Sequence, residues 1–145
     1  MLANYTTTQA PTKSLAEITK ALVAAGARGV AQEYGGSNGR ITAVEFAIPM
    51  AGQAGTVHML HFRLPLRPDE VARVLVSQRA PARYVTPEHV ERVTWRVLRD
   101  WVLAQVAMIE SGMLTLPEVM FPYMRTGDET MYQQWISSQP ALTSG

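Results

Sequence analysis

From Pro87 to Gly112 the chain runs 26 residues with no proline or glycine between these two, and Thr86-Pro87-Glu88 opens the run with the residue types of a helix start. At about 1.5 Å per residue, a helix of that length spans about 39 Å. Two apolar stripes follow helical spacing along it. Val90, Val93, Val97, Trp101, Ala104 and Met108 form one, and Trp95, Leu98, Val102, Val106, Ile109 and Met113 form the other. A small sheet offers a face only about 17–20 Å long, so the second half of the helix is expected to overhang it. Uncovered apolar surface of that kind marks an interface. The surplus predicts a homodimer packed through Trp101, Val102, Met108 and Ile109; if the C-terminal segment folds back instead, Trp135 should be buried against the helix.

The sheet follows from a period of two. In residues 40–48, Val44, Phe46 and Ile48 alternate with Ala43, Glu45 and Ala47; in residues 56–66, Leu60, Phe62 and Leu64 alternate with Met59, His61 and Arg63. Such a pair makes an antiparallel hairpin with one covered face. Val30 to Tyr34, joined to it through Gly35-Gly-Ser-Asn38-Gly39, reads as a third strand. Upstream, Ser14-Leu-Ala-Glu17 has capping-box spacing, and Leu15, Ile18, Leu22 and Ala25 share one helical face up to a left-handed stop at Gly26 or Gly29. Downstream, Pro68-Asp-Glu opens a short helix with Val71, Val74 and Leu75 inward, Thr115-Leu-Pro117-Glu118 caps one more turn, and residues 128–136 hold a helical candidate anchored by Met131, Trp135 and Ile136. The expected fold is α+β: an N-terminal helix, a three-stranded antiparallel sheet, a short helix and one long C-terminal helix packed on the sheet. It occupies residues 14–136, between a flexible arm at 1–13 and a frayed tail at 137–145.

One domain suits 145 residues that are 47% hydrophobic and 17% charged; a chain of that size buries roughly 68–70% of its unfolded surface with neither metal nor disulfide. The absence of cysteine excludes thiol nucleophiles, Cys-ligated zinc and iron–sulfur clusters. His58 and His61 point to opposite faces of a strand, and His89 with Glu88 or Glu91 lacks the order of a helix-borne zinc site, so neither metal nor cofactor is expected. No Gly-x-Ser-x-Gly elbow occurs, and Asp69-Glu70 and Asp128-Glu129 sit where helix capping explains them. These patterns point to a protein that is not an enzyme. Apolar runs fall far short of the ~20 residues of a membrane span and the first residues lack a signal core, so no membrane partner and a cytoplasmic location are expected.

Charge is uneven. Eleven of the thirteen basic residues are Arg, and eight lie between Arg63 and Arg99 beside four carboxylates, so that span carries +4 while the remainder carries −3. Arg92, Arg96 and Arg99, four and three apart, form one helical stripe. With Arg79, Arg83 and Tyr84 they are candidate nucleic-acid contacts, the arginine forks on phosphates and Tyr84 or Trp95 stacked on a base. The alternative function is a protein-interaction module, such as a factor binding or inhibiting a host protein, through Met108, Met113, Met120 and Met124.

The segment from Trp95-Arg-Val-Leu-Arg-Asp-Trp101 through Met120-Phe-Pro-Tyr-Met124 resembles a stretch in small, functionally unassigned proteins of tailed phages and prophages. The likeness also touches Gly26-Ala-Arg-Gly29 and Phe62-Arg-Leu-Pro65, and so spans residues 14–135. It implies a mobile-element origin and a host-cytoplasm location, and it brings no activity or functional residue. The order helix, three strands, helix is also similar to double-stranded RNA-binding domains, but the basic helix-start motif of that family is missing at Asp69 to Arg73.

Overall fold

The computed structural model describes residues 1–35 and 39–139. Its elements are α1 (Pro11–Ala24), β1 (Arg28–Gly35), β2 (Arg40–Ala51), β3 (Val57–Pro65), α2 (Pro68–Ser77), α3 (Pro87–Glu110), α4 (Leu116–Met120), β4 (Arg125–Thr126), β5 (Glu129–Thr130) and α5 (Met131–Ser137). β1, β2 and β3 form an antiparallel sheet in that order, and β4 and β5 a small ribbon, so the fold is α+β. The hairpin has the register its alternation implies, pairing Val44 with Leu64, Phe46 with Phe62 and Ile48 with Leu60. The two phenylalanine rings stack at 5.3 Å in the core. Most of the expected turn before β2, residues 36–38, lies outside the described residues.

The N-terminal helix departs from the expected capping box. It starts at Pro11 with Ala10 at the cap, because proline needs no partner for an N–H in the first turn and its φ suits that position. Ser14 therefore lies inside the helix, fully buried, with no partner for Oγ among the described residues. The far end closes on Gly26, whose φ of 108° admits a left-handed turn while the Ala27 N–H donates to the Leu22 carbonyl at 2.9 Å. The expected arm is tied to the domain as well. Leu2 N–H donates to Gln78 Oε1 at 2.7 Å, Asn4 Nδ2 to Asp100 Oδ2 at 2.7 Å, and the Tyr5 ring meets Tyr84 edge-on at 5.4 Å.

Of the two stripes on α3, the one with Trp95, Leu98, Val102, Val106 and Ile109 joins Ile18, Leu22, Phe46 and Phe62 in one core. The expected overhang is covered from within the chain. Leu116 and Met120 are buried in that core, and Tyr123 meets Trp101 edge-on at 5.8 Å. This corrects the expected dimer surface: Val102 is fully buried in its own core, Ile109 packs at the core margin, Trp101 lies against Tyr123, and Met108 is half-buried. Trp135 is not the cover, being 51% exposed on α5. The first segment after the Gly112 turn does that work, and the ribbon carries α5 past it. On α2 only Leu75 is buried, so Val74, expected inward, is exposed.

Among the described residues β1 pairs only with β2, and register shifts interrupt it at 28–31, where Gly29 has a φ of 60°, and at 33–34. Bulges of this kind turn an edge strand away from further pairing. No helix among the described residues is long and apolar enough to cross a membrane.

Candidate nucleic-acid interface

Arg92, Arg96 and Arg99 do lie along α3, but two of the three are consumed inside the fold. Arg96 Nη1 donates to Glu17 Oε2 at 3.1 Å and Arg99 Nε to the same oxygen at 2.5 Å, while Arg99 Nη1 reaches Asp100 Oδ1 at 3.0 Å. The Arg96 side chain is only 11% exposed. The hydrogen bond from Arg99, helped by the charge of both arginines and opposed by burial, holds the Glu17 carboxyl below its ordinary range. The expected outward stripe is thus corrected: α1 docks on it, and Arg96 and Arg99 clasp the two helices together.

Arg92, one turn nearer the helix start, is in no ion pair among the described residues. With Arg83, Tyr84, His89 and the hydroxyl-bearing Thr6, Thr7 and Thr8 it lines an open cleft of about 470 Å³. The threonines are carried there by the packed N-terminal segment. His89 Nε2 donates to the Tyr5 carbonyl at 2.5 Å, which fixes the proton on that nitrogen. The His89 ring is buried and lies 5.1 Å from that of Tyr84. Beside the cleft stands the start of α3, where Thr86 accepts from the His89 N–H at 3.3 Å and the helix dipole favours negative charge.

The base-stacking role expected of Tyr84 or Trp95 is not open to either. Arg83 sits over the Tyr84 ring, its guanidinium carbon 4.6 Å from the centroid, and Tyr5 and His89 take further contacts of that ring. Trp95 is buried in the core. Arg83 and Tyr84, joined by this cation–π contact, both line the cleft. Arg79 is exposed at the left-handed position that ends α2, with a φ of 58°, and follows Gln78, the residue that anchors Leu2. Thr6 to Thr8 and His89 share the cleft with the arginines, and the only mark of this in the sequence is the Thr-Thr-Thr run, which has no apolar period.

A second charged cluster lies on the other face of the sheet. Arg63 Nε is 2.9 Å from Glu33 Oε2, an ion pair by distance without an N–H aimed at the oxygen, and Arg125 Nη1 donates to Glu45 Oε1 at 2.9 Å. The same arginines bind the ribbon turn, Arg63 through the Asp128 carbonyl at 3.1 Å and Arg125 through that of Gly127 at 3.2 Å. The hydrogen bond to Glu45, together with burial, raises the Glu33 carboxyl above its ordinary range. Burial pushes Glu45 the same way, but the bond from Glu33 and the two guanidinium groups outweigh it and hold Glu45 low. This cluster neutralises itself and ties β4 and β5 to the sheet.

Among the described residues no group of three or more His, Asp or Glu is placed to hold a metal ion. His58 and His61 are exposed on β3. Comparison with protein-family models, with curated proteins and with solved structures finds no match to the chain.

Proposed function

We propose that the protein is a non-enzymatic nucleic-acid-binding protein, of phage or prophage origin and acting in the host cytoplasm, that grips phosphates in the cleft between residues 6–8 and the start of α3. The supporting observation is that Arg83 and Arg92 line one cleft with three threonine side chains while neither guanidinium is in an ion pair among the described residues. Planar forks suit phosphate oxygens, and hydroxyls complete their shell. Arg79, exposed at the end of α2, is offered as a third phosphate contact outside the cleft lining. With the Tyr84 ring of the cleft already in contact with Arg83, Tyr5 and His89, binding is to the backbone and tolerant of sequence.

Three phosphate contacts set the salt dependence. Affinity should fall about 20- to 40-fold between 50 and 200 mM salt, far less than the loss of about 10³–10⁵ that six to ten contacts would bring. Anisotropy and mobility-shift titrations with single- and double-stranded oligonucleotides measure this. The double variant Arg83→Gln, Arg92→Gln should weaken binding to every sequence and flatten the log–log salt slope by about 1.4–1.8. No salt-sensitive binding at micromolar protein, or an unchanged double variant, would overturn the proposal.

A host protein is the alternative partner, favoured by the exposed Met113, Phe121 and Trp135 in the C-terminal third of the chain. Met120, by contrast, is fully buried and fills the core. Recovery of a stoichiometric host protein together with absent oligonucleotide binding would select that reading.

A further inference from the structure

We propose that a separate cavity, between the end of β3, the start of α2 and the middle of α3, binds a small carboxylate with an aromatic or branched apolar body. The cavity has a volume of about 370 Å³, within the range of small-molecule sites. Val71, Val97 and Leu98 form apolar walls, and Trp101, held edge-on by Tyr123, closes one side with an aromatic ring. Thr94 offers no free donor to it, since its hydroxyl is engaged with the Val90 carbonyl at 2.8 Å.

Two charged residues stand at this cavity, and they differ in what they have left to give. Glu70 takes both of its contacts from Arg73 Nη1, at 2.9 Å each, so its charge is already met. Arg67 is in no ion pair among the described residues. An exposed arginine lining an apolar cavity can lay its guanidinium over a planar anion whose apolar body enters the cavity, because the fork matches a carboxylate while the body removes the walls from water. A neutral ligand leaves the fork without a partner, and a cation meets a carboxylate that is already paired. A phosphodiester chain has too little apolar surface for these walls.

The test is titration of the isotope-labelled protein, followed by amide shifts, with 3-phenylpropionate, 3-phenylpropan-1-ol and 3-phenylpropylamine. The acid should bind saturably, with shifts centred on residues 64–71 and 94–101, and at least about tenfold more tightly than the alcohol or the amine. Arg67→Gln should erase the preference for the acid and leave the alcohol unchanged. Val97→Phe should fill the cavity and abolish binding of all three while the circular dichroism stays that of the parent. The Arg83→Gln, Arg92→Gln protein should bind the acid as the parent does, which separates this site from the phosphate cleft. Equal affinity for acid and alcohol, a preference that survives Arg67→Gln, or shifts that move to residues 83–92 would each overturn the proposal. Arg67→Gln is at an exposed position, so it decides the matter even if the Phe variant fails to fold.

Discussion

Ser14 carries a hydroxyl that is buried on folding without gaining a hydrogen-bond partner among the described residues. A buried unmatched polar group costs about 1–3 kcal/mol, and alanine is the better helix former. Ser14→Ala should therefore stabilise the protein, by about 1–2 kcal/mol in urea unfolding. Were Ser14 a helix cap, the same change would cost about 1 kcal/mol, so the sign of the effect separates the two placements. The three-residue spacing to Glu17 is what suggests a cap, and the spacing is real. Pro11 competes for the same role three residues earlier, and once it opens the helix Glu17 lies a full turn and a half inside, free to reach α3.

At the scale of elements, the clasp of α1 on α3 decides what the arginine stripe does. Glu17 is 79 residues from Arg96 and 82 from Arg99, and its single oxygen Oε2 takes both guanidinium groups. Removing one partner of a largely buried pair leaves the other charge poorly matched. Arg96→Gln should destabilise by about 1–3 kcal/mol, partly discounted because Glu17 keeps Arg99 and some access to water. Arg73→Gln is the control: its pair with Glu70 lies on the surface, with the Arg73 side chain 73% exposed, and should change stability by no more than about 0.5 kcal/mol. Chemical denaturation of both variants tests the contrast. Equal small effects would mean that α1 is held by its apolar face alone, through Ile18 and Leu22.

At the scale of the whole molecule, carboxylates with opposite shifts shape the response to pH. Glu17 and Glu45 are held low in the folded state, so they add stability above the unfolded carboxylate value of about 4.3 that is lost as pH falls through their folded values. Asp100 behaves likewise: burial pushes it up, but bonds from Asn4 and Arg99 outweigh that. Glu33 has the reverse sign. Its folded value is raised, so its contribution is complete below about 4.3 and is lost as pH rises through the folded value. Glu33→Gln keeps a donor for Glu45 and removes the like charge. It should raise Tm at pH 7 by up to about 4 °C, given the roughly 1 kcal/mol ceiling for a partly exposed group, and leave Tm at pH 3.5 nearly unchanged. Thermal melts at the two pH values check this; a lower Tm at pH 7 would show that the Arg63 pair outweighs the repulsion.

Local spacing alone determined the hairpin register, the start of α3 at Thr86 and Pro87, and the capped turn at Thr115, because alternation and caps involve neighbours a few residues apart. The α+β class followed from those elements. Which positions of the two equally spaced stripes on α3 would be buried was open in the sequence; the tertiary structure buries Val90 and Val93 of one and Trp95, Val102 and Val106 of the other, and sets residues 116–124 around the second half of the helix. The candidate site divides the same way. Arginine forks in the middle segment were legible as phosphate chemistry, and Arg83 and Arg92 remain open to it. Whether a given arginine faces water or a carboxylate depends on partners distant in the chain, as Glu17 is from Arg96, and charge runs carry no record of them. Thr6 to Thr8 joined the cleft for the same reason: hydrogen bonds at Asn4 and Tyr5, not any period in the sequence, bring that segment beside α3.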